Sequence, residues 1–339
     1  MKSLYFFGLM ALAVVSASGQ TRPVYYSATK PDCSSLMGGE TATAIKDSNG
    51  NTLGYSCYVR GTFVWLASGG VWGTSIRVSG PAAGDIDVLY QFFDKNGNPL
   101  SIDNTLNNDA TSIDSNTEAE VPLFSNQPLE VELLGETGDG PNYNNTAEGS
   151  VFATFYCPDA ATCANVLPQL IYSALPTYPW SLSVPISWDD NLSKQWSAVV
   201  NYDPSTNNVI GLVVYNADTV ASKFRVDAYD ANGNFVASGF TPTLQPVAGS
   251  LNGGTYAVLL GDLIPGLAPG FYKILFDGGS VFSAVEVLQI NDTSGTTLQV
   301  AFDTAPGAAA AVRTARSSVR APQTVHVITP SKRVVRRVK

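Results

Sequence analysis

Apolar and polar positions alternate with a period of two over short stretches along the chain. Ile86, Val88, Tyr90 and Phe92 occupy every second position, as do Phe224, Val226 and Ala228. That period places such side chains on one face of a half-buried strand. Both runs are followed by Asp-x-Asn-Gly-Asn, at 94–98 and 230–234, and a third copy stands at 47–51. Asn-Gly accepts the positive φ angles of a tight hairpin turn, and the flanking Asp bonds the backbone beyond it. No long stretch carries the helical period; only Ala160 to Ser173 has room for a turn of helix. The predicted fold class is all-β and antiparallel.

The pattern also organises the chain. Without gaps, 72–100 follows the same order of strands and turn as 208–236, although only Val78, Asp94, Asn96, Gly97 and Asn98 are identical to their counterparts. Ser150-Val151-Phe152 resembles Ser280-Val281-Phe282 further on. Two tandem copies of one β fold are expected, as β-sandwich domain 1 over 20–165 and β-sandwich domain 2 over 166–292. The linker is placed in Leu167 to Trp180, where Pro168, Pro176 and Pro179 punctuate the chain. Each domain has space for seven or more short strands in two facing sheets, immunoglobulin-like or, as the alternative, a jelly roll.

Gly211-Leu212-Val213-Val214-Tyr215-Asn216, Asp227 to Asn234, Leu259 to Leu267 and Gly270-Phe271 carry a resemblance. So do Gly69 to Thr74 and Phe92 to Leu100 in the first half. They resemble the tandem immunoglobulin-like β-sandwich repeats of exported, mostly uncharacterised proteins of soil bacteria such as acidobacteria. The resemblance implies export and a sandwich fold. Its motifs are turns and strand ends, so it implies no catalytic residues.

The N-terminus reads as a signal peptide over 1–19. Lys2 precedes an apolar run from Leu4 to Val15, too short for a bilayer, and Ser16-Ala17-Ser18-Gly19 supplies small residues for cleavage. No later apolar run is long enough for a transmembrane segment in the mature chain. Export suits the four cysteines, Cys33, Cys57, Cys157 and Cys163. The favoured pairing is Cys33–Cys57 with a local Cys157–Cys163 clasp. The alternative, Cys57–Cys157, staples the first and last strands of the domain. Charge is segregated. After Asp303 the chain holds eight basic residues and no acid; up to and including Asp303, 28 acids face ten basic residues once Lys2 is set aside, a net charge of −18. The body is expected to repel nucleic acid, and the segment 293–339 is expected to be a linker and a basic disordered tail that contacts anionic surfaces.

Little catalytic chemistry is legible. His326 is the single histidine and lies in the tail, so a histidine-based nucleophilic triad or His-ligated metal within either domain is excluded. No cofactor or metal site is expected. The Asp-x-Asn-Gly-Asn turns lack the Gly and Glu positions of a calcium loop. Asp85/Asp87, Glu118/Glu120, Glu130/Glu132 and Asp189/Asp190 offer the two acids that glycoside hydrolysis requires. The first three pairs have strand spacing, which places both acids on one face, most simply the solvent face. The stretch from Asp103 to Asp114 reads as an Asn-rich surface loop. Aromatic residues carry the binding expectation. Trp65 and Trp72 are the candidate ligand-binding positions, while Trp180, Trp188 and Trp196 are expected to pack the first strands of domain 2.

The leading expectation is a non-catalytic exported structural or adhesive protein, secreted or at the cell surface. Its expected partner is a cell-envelope polysaccharide or another surface protein. A carbohydrate-binding protein using exposed aromatics, and a carboxylate-pair glycosidase or lyase, are the alternatives. N-terminal sequencing of the exported protein is expected to begin near Gln20; intact Met1 on cytosolic protein contradicts export.

Overall fold

The computed structural model of the chain describes residues 25–36, 41–47, 49–70, 72–80, 84–106, 114–136, 145–174, 181–189, 191–206, 208–249, 251–291, 296–299, 303–304 and 327–328. The predicted signal peptide and most of the predicted tail lie outside the described residues.

The first half contributes strands β1 (Thr43–Asp47), β2 (Thr52–Ser68), β3 (Trp72–Ser79), β4 (Ile86–Asp94), β5 (Ile102–Leu106), β6 (Asp114–Asn116), β7 (Glu118–Leu123), β8 (Pro128–Glu136) and β9 (Ala147–Cys157). A single helical turn, α1 (Ala160–Ala164), is capped by the Asp159 carboxylate, and β10 (Leu167–Ala174), β11 (Ser181–Pro185) and β12 (Ser187–Trp188) follow. The second half holds β13 (Gln195–Tyr202), β14 (Asn208–Asn216), β15 (Arg225–Tyr229), β16 (Phe235–Phe240), β17 (Thr255–Leu259), the turn α2 (Leu260–Leu263), β18 (Gly270–Asp277) and β19 (Ser283–Asn291). Three short strands close the chain: β20 (Thr296–Gln299), β21 (Asp303–Thr304) and β22 (Val327–Ile328). The fold is all-β, as the alternation predicts.

Four sheets pack as two facing pairs. In the first unit the sheet β22-β1-β2-β9-β4-β7, with β12 added to β2, faces β11-β10-β3-β8-β5-β6. Phe63, Val88, Tyr90, Phe92 and Phe155 from one sheet meet Ile76, Val78, Val131, Leu170 and Tyr172 from the other in one core. In the second unit β16-β15-β18-β13-β21 faces β17-β14-β19-β20, with Val200, Val226, Ile274 and Phe276 against Leu212, Val214, Val285 and Val287. Each core is built by the period-two positions of its strands.

Hydrogen bonding corrects the expected boundaries. Leu167 to Ala174 is not a linker: β10 pairs along the whole of β3, and β11 pairs with β10 in turn. An extended, Pro-flanked segment is free to add to an open sheet edge, and Pro168 sits near the strand start, where a missing N–H is tolerated. Ser187 and Trp188 pair with β2, so Trp188 packs on the first core rather than the second; Trp196 packs in the second core, and Trp180 lies outside the described residues. The first unit therefore runs to Asp189. The predicted break at 292 is also too early, because β20 pairs with β19 and β21 with β13. Val327 and Ile328, within the segment predicted to be disordered, pair in parallel with Lys46 and Asp47 on the edge of β1. The internal repeat is partial. β3 and β14 each cross to a strand of the facing sheet before the shared turn, but β9 pairs with β4 whereas β19 pairs with β14.

The three Asp-x-Asn-Gly-Asn segments adopt one geometry. The Asp Oδ1 accepts from the backbone N–H groups two and four residues on, Oδ2 accepts from the second Asn side chain, and the glycines take φ of 83°, 84° and 83°. These bonds hold Asp47 and Asp230 below the usual carboxylate range, the side chains of Asn51 and Asn234 contributing most. The carboxylate oxygens are thus turned inward, as a turn and not a calcium loop requires.

The Gly97 turn alone among the three is enclosed. Its carbonyl accepts from the Asn252 N–H (2.9 Å), the Lys95 carbonyl accepts from the Thr255 N–H (3.0 Å), and a Cβ on Gly97 overlaps the Asn252 carbonyl. Gly50 and Gly233 have open space instead. Gly97→Ala, Gly50→Ala and Gly233→Ala each meet the positive-φ penalty of about 1–2 kcal/mol. Gly97→Ala is expected to lose about 1–3 kcal/mol beyond the other two through overpacking at the seam. Denaturant unfolding of the three variants checks this ordering; three equal losses contradict it.

Candidate functional site

The strongest accumulation of shifted ionisable groups lies on the outer face of the first unit's larger sheet. Alternation along β2, β4, β7 and β9 sends Tyr58, Arg60, Asp87, Glu120 and Tyr156 outward, opposite the core residues Val59, Val88, Val121 and Phe155. Residues 25–36 form a strap across this face. The Ser56 hydroxyl donates to the Tyr25 carbonyl (2.6 Å), Ser27 bridges to Tyr55, and the Cys33–Cys57 disulfide anchors the strap's far end. Tyr25 packs with Tyr58, Leu89 and Tyr156, so Asp87 is sealed beneath the strap. The second disulfide, Cys157–Cys163, ties α1 to the end of β9.

The electrostatics follow from that seal. Burial raises the Asp87 carboxyl well above its usual range, and the adjacent Glu120 charge and hydrogen bond raise it further. Burial likewise pushes the Tyr25 and Tyr156 hydroxyls up, with the Asp87 charge adding to each. Arg60 lies 5.2 Å from the Tyr58 ring centroid and 3.8 Å from the Asp189 carboxylate. The structure thus joins one acid from each of two predicted pairs, across neighbouring strands. In its protonated form the Asp87 carboxyl donates a hydrogen bond to Glu120. Glycoside hydrolysis needs open space for a sugar between its acids; here Asp87 is buried.

The other predicted acids are dispersed. Asp85 accepts from the Ser125 N–H, Glu118 from the Gln91 side chain, and Glu130 pairs with Arg77. Asp190 lies outside the described residues. Asp103 and Asn104, expected in a surface loop, are buried in β5; residues 107–113 of that stretch lie outside the described residues. Among the described residues no group of His, Cys, Asp and Glu side chains is arranged to hold a metal.

Trp65 and Trp72 do not form an exposed platform. Both are half-buried; their ring centroids are 5.0 Å apart, edge to face, and the Trp65 centroid is also 5.0 Å from that of Tyr172. Trp65 nevertheless lines a groove of about 310 Å³ where the two units meet, together with Lys95, Glu148, Gln245, Thr255 and Tyr256. Lys95 and Glu148 form an exposed ion pair (3.5 Å) at this groove. Trp72 is not among its lining residues.

A second surface was missed by sequence reasoning. On the outer face of β16-β15-β18-β13, Val199, Phe235, Phe240 and Phe271 are 64%, 53%, 59% and 63% exposed. Register places Phe240 opposite Arg225, Phe235 opposite Tyr229, and Tyr229 opposite Lys273. The Arg225 guanidinium bonds the Asp227 carboxylate (2.8 Å) and lies 6.0 Å from the Phe235 ring centroid. The available signal was Phe at both Phe235 and Phe240 beside an Asn-Gly turn, with the core positions of β15 already assigned.

No family model, curated protein or solved structure matches the chain.

A carboxyl raised above its unfolded value contributes stability in acid, and that contribution is lost as pH rises through the folded value. Asp87→Asn keeps a donor to Glu120 and removes the charge. The variant is expected to match the parent protein in melting temperature near pH 3.5 and to exceed it increasingly toward pH 8. Thermal unfolding across that range checks this; an equal or lower melting temperature for the variant at pH 8 contradicts the sealed-acid account.

Proposed function

We propose that this protein is an exported, non-catalytic structural or adhesive protein of the cell surface, built from tandem immunoglobulin-like β-sandwich units akin to those of exported soil-bacterial repeat proteins. The observation that carries the reading is the exposed ring-bearing face of the second unit. Isolated exposed apolar residues are ordinary, but several large ones spread along one sheet face among charged neighbours suit a contact surface. Phe235, Phe240, Phe271 and Val199 share that face with Arg225, Asp227, Lys273 and Asp277. Rings interspersed with charges of both signs suit a protein partner, since aromatic residues and Arg dominate such contacts. The partner is another surface protein. The two disulfides support an oxidising compartment. The burial of Asp87 argues against the carboxylate-pair glycosidase.

A second reading, carbohydrate binding, is supported by the seam groove, where Trp65 and Tyr256 stand beside Lys95, Glu148 and Gln245. Rings and hydrogen-bonding side chains in a rigid concavity between units suit a saccharide.

The two readings use separate surfaces. Phe235→Ser/Phe240→Ser/Phe271→Ser changes exposed positions, where stability effects are about 0.5 kcal/mol each. Retention of the purified protein on isolated cell envelopes is expected to fall at least tenfold in this triple variant and to survive Gln245→Ala/Lys95→Ala. Protease treatment of the envelopes is expected to abolish retention. Retention that survives the triple variant and protease but is lost with Gln245→Ala/Lys95→Ala favours the saccharide reading; equal retention by all variants overturns both.

A further inference from the structure

One buried acid belongs to neither surface. Glu286 lies on β19, opposite Val213 of β14, and is 3% exposed. Val285 and Val287 beside it face the second unit's own core. The alternate side chains face the other way: Ala284 packs with Val64 and Leu192, and Leu288 joins the first unit's core. Glu286 therefore stands on the face by which the second unit docks on the first. Its Oε1 has no hydrogen-bond partner among the described residues.

The surroundings are poor in charge. Tyr172 of β10 feels the Glu286 charge, but its hydroxyl donates to the Trp65 carbonyl (2.6 Å). Of the strands packed on β19, β14 contributes the titratable Tyr215, whose hydroxyl donates to Asn252, and β13 contributes Tyr202. From β2 come Tyr55, Tyr58 and Arg60, of which Arg60 is directed to Tyr58 and Asp189; β20 has no titratable side chain. No cation on these strands faces the carboxyl. Burial alone lifts it to about 8 from an ordinary 4.5.

We propose that the seam between the two units is an acid-tightened joint, firmly docked when Glu286 carries a proton and loosened when it does not. Undocking returns the carboxyl to water, where it ionises in the ordinary range. Between that range and about pH 8 the undocked form releases a proton that the docked form retains. The docking equilibrium therefore weakens about tenfold per pH unit across this window and levels off above it. Opening is opposed by the Asn252 and Thr255 bonds to the first unit and by the apolar packing of Ala284, Phe282 and Leu288 against it. The joint regulates the seam groove, since both units supply its walls.

The test uses the full chain, small-angle X-ray scattering and tryptophan emission at pH 5, 6.5, 8 and 9, with far-UV circular dichroism as the control for unfolding. The parent protein is expected to be compact at pH 5 and to show a rising radius of gyration and red-shifted emission toward pH 8, with little change from pH 8 to 9 and unchanged circular dichroism. Glu286→Gln, which keeps the shape without the charge, is expected to remain compact throughout; Glu286→Met supplies the same readout should the amide disturb folding. Identical pH profiles for the parent protein and both variants overturn the proposal. So does a parent protein that stays compact to pH 9, or one whose expansion coincides with loss of circular dichroism.

Discussion

The two units are joined by a break in one strand. β2 pairs continuously with β9 up to Phe63, and pairing resumes at Leu66. Val64 and Trp65 fall in the interruption, and a bulge of this kind leaves ladder groups unpaired and redirects side chains. The freed carbonyls find partners from elsewhere in the fold: the Thr255 hydroxyl donates to Val64 (2.7 Å) and the Tyr172 hydroxyl to Trp65. The Val64 side chain is delivered to Tyr215, Phe282 and Ala284 of the second unit. Asn252 completes the seam. It is fully buried, its amide donates to the Ser150 hydroxyl (3.0 Å), it accepts from the Tyr215 hydroxyl, and its N–H donates to Gly97. A buried amide with satisfied groups fixes orientation more than it adds binding energy, because the alternative is an unpaired polar group in a dry interface.

That seam gives the second unit's smaller sheet two buried faces. One meets its own facing sheet, as in any sandwich, and the other is covered by β2. The acid of β19 consequently sits in a dry interface instead of in solvent. The same logic operates on the first unit, where the strap before β1 covers the outer face of a sheet that alternation alone assigns to water. Asp87 and Glu286 thus share their largest perturbation: each belongs to a strand face that a second layer covers, and burial disfavours the charged carboxylate, with Glu120 adding to it at Asp87. The outer face of the second unit has no such cover among the described residues, and there Phe235, Phe240 and Phe271 stay exposed.

Several features were legible before any coordinates. The alternating run from Ile86 to Phe92 is a strand with those four residues inward. The three Asn-Gly turns have the positive-φ glycines that hairpins demand. The cysteines pair within the first unit, Cys33 with Cys57 and Cys157 with Cys163. Each of these depends on residues close in sequence, or on a chemistry so restrictive that few partners exist. Pro168, Pro176 and Pro179 misled for a matching reason. Proline reports a local restraint on φ and a missing donor, not whether a neighbouring strand has an open edge to receive the segment.

Fold class, turn chemistry and the inward face of the isolated strands follow from the amino-acid pattern, because local sterics and a two-residue period act over a few residues. Packing between distant segments set which of Gly50, Gly97 and Gly233 is enclosed, which acids are dry, and that the strands Leu167–Ala174 and Ser181–Pro185 belong to the first unit. Those outcomes rest on contacts between residues far apart in the chain, such as Val64 with Thr255 and Ser150 with Asn252. Glu286, between Val285 and Val287, is a buried carboxyl because a second sandwich lies against its strand, a placement that no local pattern encodes.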